Sequence, residues 1–236
     1  DACIENIIEH HSDAEFCVIT GDLTDRGDIK AYHDFRDIIQ RLPMPCHPLM
    51  GNHDHRQVFC EVFPNVPRDE NGFVQHVLET PAGRFLMLDT VEHGANWGSY
   101  CDKRGKWLSN QLSSSGNVPL YLFMHHPPFE IGIPVLDNIN LRKDSQRIHQ
   151  ILSNYTNIRH IFFGHVHRPV CGSWHGIPFS TMYGTNHQIQ LDLNAEDYFP
   201  HTHEPPAYCV ILIESEQTTV HIHNYLDDSL YKRISS

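Results

Sequence analysis

Four short apolar runs in this chain stop in the same way, and that repetition restricts what the chain can fold into more than its composition does. Phe16 to Thr20 runs into Gly21-Asp22-Leu23-Thr24-Asp25, and Cys46 to Met50 into Gly51-Asn52-His53-Asp54. Tyr121 to Met124 runs into His125-His126-Pro127-Pro128, and His160 to Phe163 into Gly164-His165-Val166-His167. Each run has strand length and β-prone residues, and each gives way at once to Asp, Asn or His. In open α/β sheets, loops converge to form a site at the carboxyl ends of parallel strands. Four such ends would make a nest of nitrogen and oxygen donors without thiolate, a set suited to Zn, Mn, Fe or Co rather than to a structural cysteine site. Singly, each motif has a plainer reading: Gly-Asp is a common turn, Asn-His-Asp an Asx turn or cap, and His165 and His167 a hydrogen-bonded pair on one strand face. All four in one chain argue for a metal.

The intervening pattern supplies the fold class. Ile4, Ile7 and Ile8 fall at helical spacing. Asp28 is placed to cap a helix running to Arg41, with Tyr32, Phe35, Ile38 and Ile39 as its apolar face and Pro43 and Pro45 beyond it. With the strands on either side this is a βαβ unit, hence parallel strands. Further strands are predicted over Phe73–Glu79, Arg84–Asp89, Ile177–Met182, Ala207–Glu214 and Thr218–Asn224, and helices over Lys103–Leu112 and Asp144–Leu152. There is no internal repeat, low-complexity tract or long linker, so an α/β fold with two sheets is the economical architecture.

The 236 residues suffice for one large domain or two small ones. Seventeen Lys+Arg against 29 Asp+Glu give a net charge of -12, which leaves no broad cationic surface for a nucleic-acid polymer. No apolar run approaches the roughly 18 residues of a membrane span. Seven cysteines without a C-x-x-C read as free thiols in a reducing, cytoplasmic setting, although one or two bridges remain open. Twenty histidines outnumber all Lys and Arg together and suit metal chemistry. Residue 1 is not Met, and residues 1–13 have no signal-peptide pattern.

The motifs GDLTDRG (21–27), PLMGNHD (48–54), FMHHPP (123–128) and FFGHVH (162–167) resemble those of the calcineurin-like metallophosphoesterases. Within that superfamily they look most like the class III cyclic-nucleotide phosphodiesterases and the glycerophosphodiesterases. STMYGTNHQ (180–188) and EPPAY (204–208) are similar to segments of the same subgroup. The resemblance spans almost the whole chain and implies a four-layer αββα sandwich: two packed mixed β-sheets flanked by helices, one domain over 1–236, with C-terminal strands and a lid over about 195–236.

It also implies hydrolysis of a small phosphodiester, such as a 3',5'-cyclic nucleotide or a glycerophosphodiester, by a hydroxide bridging two divalent or transition metal ions (Mn, Fe, Zn or Co). By resemblance, Asp22 would bridge both ions, Asn52, His125 and His165 would complete the second site, and His167 would serve the first. His53 would protonate the leaving oxygen with Asn52 on the phosphoryl group, and Asp25 would either orient His53 or form a plain turn. Arg26, His126 and His187 are the further substrate-side candidates, each with a bland alternative as a surface, turn or supporting residue. The family's D-x-H on its first strand is absent, so the sequence is expected to start downstream of that strand and to leave the first metal site underfilled. Rival readings are a phosphomonoesterase or protein phosphatase using the same metals, and a metal-binding homologue with a decayed site. A homo-oligomer fits the sequence as well as a monomer does.

Overall fold

The computed structural model describes residues 1–227. Its elements in chain order are α1 (Ala2–His11), β1 (Cys17–Ile19), α2 (Ile29–Ile39), β2 (Cys46–Pro48), α3 (Arg56–Val62), β3 (His76–Thr80), β4 (Gly83–Met87), α4 (Asp102–Ser113), β5 (Leu120–Met124) and α5 (Pro134–Asp137). After a 3-10 turn at Arg142–Asp144 come α6 (Ser145–Leu152), β6 (Ile158–Phe163), β7 (Cys171–Trp174), β8 (Ile177–Ser180), β9 (Gln188–Ile189), β10 (His201–Thr202), β11 (Tyr208–Ile213) and β12 (Thr218–His223).

A six-stranded sheet of order β3-β4-β5-β6-β8-β7 forms the centre. Its inner strands β4, β5, β6 and β8 run parallel, and β3 and β7 close the edges antiparallel. β4 and β5 are buried along their whole lengths, as expected for parallel strands covered on both faces. One face carries Leu86, Leu122, Ile161 and Phe163 against Trp107, Leu108 and Leu112 of α4, Val135 and Leu136 of α5, and Ile148 and Leu152 of α6. The other carries Phe85, Met87, Tyr121, Phe123 and Phe162 against Phe16, Val18, Leu49, Ile211, Ile213 and Val220. These last residues lie on or next to two strand pairs, the parallel β1-β2 and the antiparallel β11-β12. Beyond β1-β2 lies a further apolar layer, in which Ile4, Ile7 and Ile8 of α1 and Ile38 of α2 meet Cys17 and Cys46. Cys17 and Val18 therefore face opposite ways, as strand alternation requires.

This is a mixed α/β fold of the expected layering, with one refinement: among the described residues the second strand layer is two separate pairs rather than one continuous sheet. The βαβ unit is present, β1 and β2 pairing in parallel across α2. The strand expected over Phe73–Glu79 begins only at His76. Val74 N instead donates to Asp89 Oδ2 at 2.9 Å, and the Phe73 ring lies under the Arg104 guanidinium at 4.5 Å. Likewise β4 stops at Met87, because the buried Asp89 carboxylate takes a two-pronged ion pair from Arg56 at 2.8 Å. The small β9-β10 pair was not foreseen. The lid expected over 195–236 falls partly on β10 to β12 and partly outside the described residues. No helix among the described residues is long and apolar enough to cross a membrane.

Two histidines are folded into this framework away from the four motifs. Burial, with repulsion from His47, pushes the His76 imidazole down to about 4, and neither ring nitrogen finds a partner among the described residues. Burial does the same to His160, whose Nε2 lies 2.8 Å from Ser180 Oγ. Both rings are neutral when folded, whereas in an unfolded chain they take up protons near the ordinary value of 6.5. Their contribution is complete above about pH 7, is lost as the pH falls from about 6.5, and levels off below about 4, at about 1 to 3 kcal/mol per ring. Urea unfolding between pH 7 and pH 4 should show this loss, and His76→Phe should make the slope shallower; an unchanged slope would count against the assignment.

Candidate metal centre

The strand ends converge because the chain removes the side chains that would keep them apart. A Cβ at Gly21 would lie 2.5 Å from His125 Nδ1, and one at Gly51 would lie 2.1 Å from Asp22 Oδ1. With glycine at both places, the ends of β1 and β2 lie directly against the start of the loop after β5. Thr20 O accepts from His125 Nδ1 at 2.7 Å, and Gly164 N donates to His125 O at 3.1 Å, which brings in the end of β6.

A carbonyl can only accept, so His125 Nδ1 carries a proton, and in the neutral ring Nε2 presents a lone pair. Around that Nε2 stand Asn52 Oδ1 at 3.1 Å, His165 Nδ1 at 3.2 Å and Asp22 Oδ2 at 3.4 Å. Asn52 Oδ1 and the Asp22 carboxylate are acceptors as well. A proton on His165 Nδ1 relieves one of these three contacts; a cation relieves all of them. The donor set thus fits a divalent metal, held by oxygen and imidazole nitrogen without thiolate. Charge follows the same logic. Burial works against the Asp22 carboxylate, yet the His125 imidazole and the His53 amide hold it far below the usual carboxylate range. Burial opposes protonation of His125, and Asp22 overrides it and raises the pKa. Burial, with His125 adding repulsion, pushes His165 down to about 3.

Among the described residues, three of the five non-glycine residues with positive φ are Asp22 (55°), His165 (68°) and His167 (47°). This left-handed conformation costs an L-residue roughly 1 to 2 kcal/mol, and such strain gathers where the surroundings over-determine it. At Asp22 that hold is Asp54, whose buried carboxylate accepts from Leu23 N (3.0 Å), Thr24 N (3.2 Å), Gly51 N (2.8 Å) and Tyr32 Oη (2.9 Å). Asp54 ties the loop after β1 to the loop after β2. Sequence reasoning did not single it out, although it closes the Gly51-Asn52-His53-Asp54 motif; a carboxylate after a glycine turn was the available signal.

The other candidates separate by exposure. His53 N donates to Asp22 Oδ1 at 3.0 Å, while its half-exposed ring sets Nδ1 2.9 Å from Asp25 O. The Asp25 carboxylate is 3.7 Å from that ring and pairs with Arg26 at 3.2 Å on the surface, so the Asp25 carbonyl makes the nearer contact. His126 is fully buried, its Nδ1 2.8 Å from Thr90 Oγ1, its Nε2 unpartnered, and its ring 4.6 Å from that of His165. It lies behind the cluster rather than at the mouth where a substrate could touch it. Ligand atoms of His125, His126 and His165 lie within 4.8 Å of one another. His167 Nδ1 is 2.9 Å from His187 O, and the two rings lie 4.3 Å apart. Arg26 is exposed and paired only with Asp25 among the described residues.

The calcineurin-like phosphoesterase family profile matches residues 2–169. This chain belongs to that family. It is 36% identical over 230 residues to a probable cyclic nucleotide phosphodiesterase of Rhodopseudomonas palustris, covering 96% of this chain and 84% of the relative. It is 31% identical over 206 residues to a probable glycerophosphodiester phosphodiesterase of Arcobacter nitrofigilis, covering 87% and 76%. Among solved structures, a dimetal phosphatase from Danio rerio superposes with a TM-score of 0.69 at 13% identity, covering 95% of this chain and 86% of that one. At that identity the likeness speaks for the fold alone. The family uses divalent metals, and the buried histidine cluster of this chain can hold one.

Removing the Asp54 carboxylate strands several buried donors at once. Asp54→Ala should lower stability by about 3 kcal/mol and Tyr32→Phe, which deletes one donor, by about 1 kcal/mol. Urea midpoints at pH 7 check both, and an Asp54→Ala midpoint equal to that of the parent would remove Asp54 from this role.

Proposed function

We propose that the protein is a metal-dependent phosphodiester hydrolase acting on a small diester, a 3',5'-cyclic nucleotide or a glycerophosphodiester. The observation that carries this is the crowding of Asp22, Asn52 and His165 around the bare Nε2 of His125. The relatives named for these two substrate classes support the choice of diester. In this reading Asp22, Asn52, His125 and His165 hold one ion, and Asp22 with His167 holds a second. When bound, such ions neutralise phosphoryl charge and make water acidic enough to attack near neutral pH.

The remaining steps belong to the side chains. Asn52 directs its amide group at the cluster and can also steady a phosphoryl oxygen. His53 has its backbone pinned by Asp22 and its Nδ1 proton engaged by the Asp25 carbonyl, which leaves Nε2 as the face that delivers a proton to the leaving alcohol. The Asp25 carboxylate lies 3.7 Å from the same ring nitrogen. His187 stands beside His167 on the substrate side, and Arg26 can turn from Asp25 toward a phosphate. His126 supports the rings of His125 and His165 from within. The net charge of -12 supports a small substrate over a nucleic-acid polymer, and the seven unpaired thiols suit the cytoplasm.

His53→Ala should lower turnover about a hundredfold or more with metal content retained. Loss of metal together with activity would instead make His53 a ligand. Turnover of bis-p-nitrophenyl phosphate against p-nitrophenyl phosphate under identical metal conditions tests the reaction class. Preference for the diester is expected, and preference for the monoester would move the protein to the phosphatases. Metal analysis should find His125→Ala and Asn52→Ala depleted of bound ion relative to the parent chain.

A further inference from the structure

His167 has a left-handed φ of 47° on a β-carbon-bearing residue, so its position must be held from outside. The holding comes from one short segment. His187 O lies 2.9 Å from His167 Nδ1, and Ile189 N donates to His167 O at 3.1 Å. The residue between these two contacts is Gln188, whose side chain closes a ring with Gly184: Gly184 N donates to Gln188 Oε1 at 2.8 Å, and Gln188 Nε2 donates to Gly184 O at 2.7 Å. Gln188 is 1% exposed, so both of its bonds are made away from water, and its amide donates and accepts there without needing a particular protonation state. Gly184 is needed as well, since a Cβ there would lie 2.9 Å from His167 Nδ1.

We infer that Gln188 is a positioning residue for His167: its double bond to Gly184 shapes the turn that sets the His187 carbonyl against His167 Nδ1, which fixes the imidazole ring and leaves Nε2 bare to bind a divalent cation. The inference rests on the reading of His167 as a metal ligand. Partners that orient a ligating imidazole in this way typically matter 10- to 100-fold in metal affinity. The group of His187 that makes this bond is its carbonyl, which His187→Ala retains while removing only the ring packed 4.3 Å from that of His167.

The test pairs two variants of the full chain and two measurements. Imidazole nitrogen NMR before metal addition should show His167 as one tautomer, protonated at Nδ1, in the parent and in His187→Ala, and as a mixture in Gln188→Ala. Equilibrium dialysis against Mn2+ should show the His167-dependent ion weakened 10- to 100-fold by Gln188→Ala and by no more than a few-fold by His187→Ala. An unchanged His167 tautomer in Gln188→Ala, or an equal loss in His187→Ala, would overturn the inference. Should Gln188→Ala fail to fold, Gly184→Ala crowds the same nitrogen with the amide retained and must give the same tautomer mixture. His167→Ala separates the two ideas: unaltered Mn2+ binding in that variant removes His167 as a ligand, whatever the tautomer result says about the clamp.

Discussion

The closeness of two glycines to His125 and Asp22 governs this site. Any side chain at Gly21 or Gly51 would occupy space already held by His125 or Asp22. The same economy recurs at Gly164, where a Cβ would come within 2.7 Å of Thr20 O. Because β1 and β2 belong to one strand layer and β5 and β6 to the other, these contacts are also where the layers meet at their carboxyl ends. The apolar packing of Phe16, Val18 and Leu49 on Phe85, Phe123 and Phe162 sets the distance between the layers, and the glycines let the backbones close the remaining gap at one end. The metal-ligand cluster is a consequence of that closure rather than of any single loop.

Closure leaves strain behind. Asp22, His165 and His167 lie in a conformation that favours glycine, yet each must carry a side chain. The compensation is local and polar: Asp54 gathers the amides around Asp22, and the Gly184–Gln188 turn grips His167. Both devices use a buried acceptor or amide with every near partner made, the arrangement in which a buried polar group stabilises rather than costs. A site held in this way is preorganised, and lone pairs that repel one another in its absence of a proton are poised for a cation.

The strand ends were legible from sequence because an apolar run that breaks into Gly-Asp, Gly-Asn-His or Gly-His-x-His changes chemistry within one residue. The layering was legible for the same reason, through the alternation of runs and helical spacings. The limits of β3 and β4 were not, since Asp89 is recruited by Arg56 and by Val74, partners 33 and 15 residues away. Pattern reasoning has no access to such a pairing. Asp54 and Gln188 were hidden differently. Both stood inside quoted motifs, but their roles are to serve the backbone of other segments, and nothing in residue type separates a carboxylate that binds a metal from one that binds four neighbouring donors.

The two histidines that directly follow ligands show how position divides labour among identical side chains. Asn52 is followed by His53 and His125 by His126, and from sequence the pairs look alike. Both pairs lie in the loops beyond their strands, and in each the histidine that does not join the cluster turns elsewhere. After β5, a central strand covered on both sides, elsewhere is more interior: His126 is sealed, burial pushes its imidazole well below the ordinary value, and its ring packs against those of His125 and His165. After β2, at the margin of its layer, elsewhere is solvent: His53 keeps a half-exposed ring with one nitrogen engaged by a carbonyl and the other open. Proton exchange with water is a requirement for repeated acid catalysis, and of the two only His53 meets it. In the proposed reading the histidine after Asn52 is therefore the one free to deliver a proton, and the histidine after His125 packs behind the cluster.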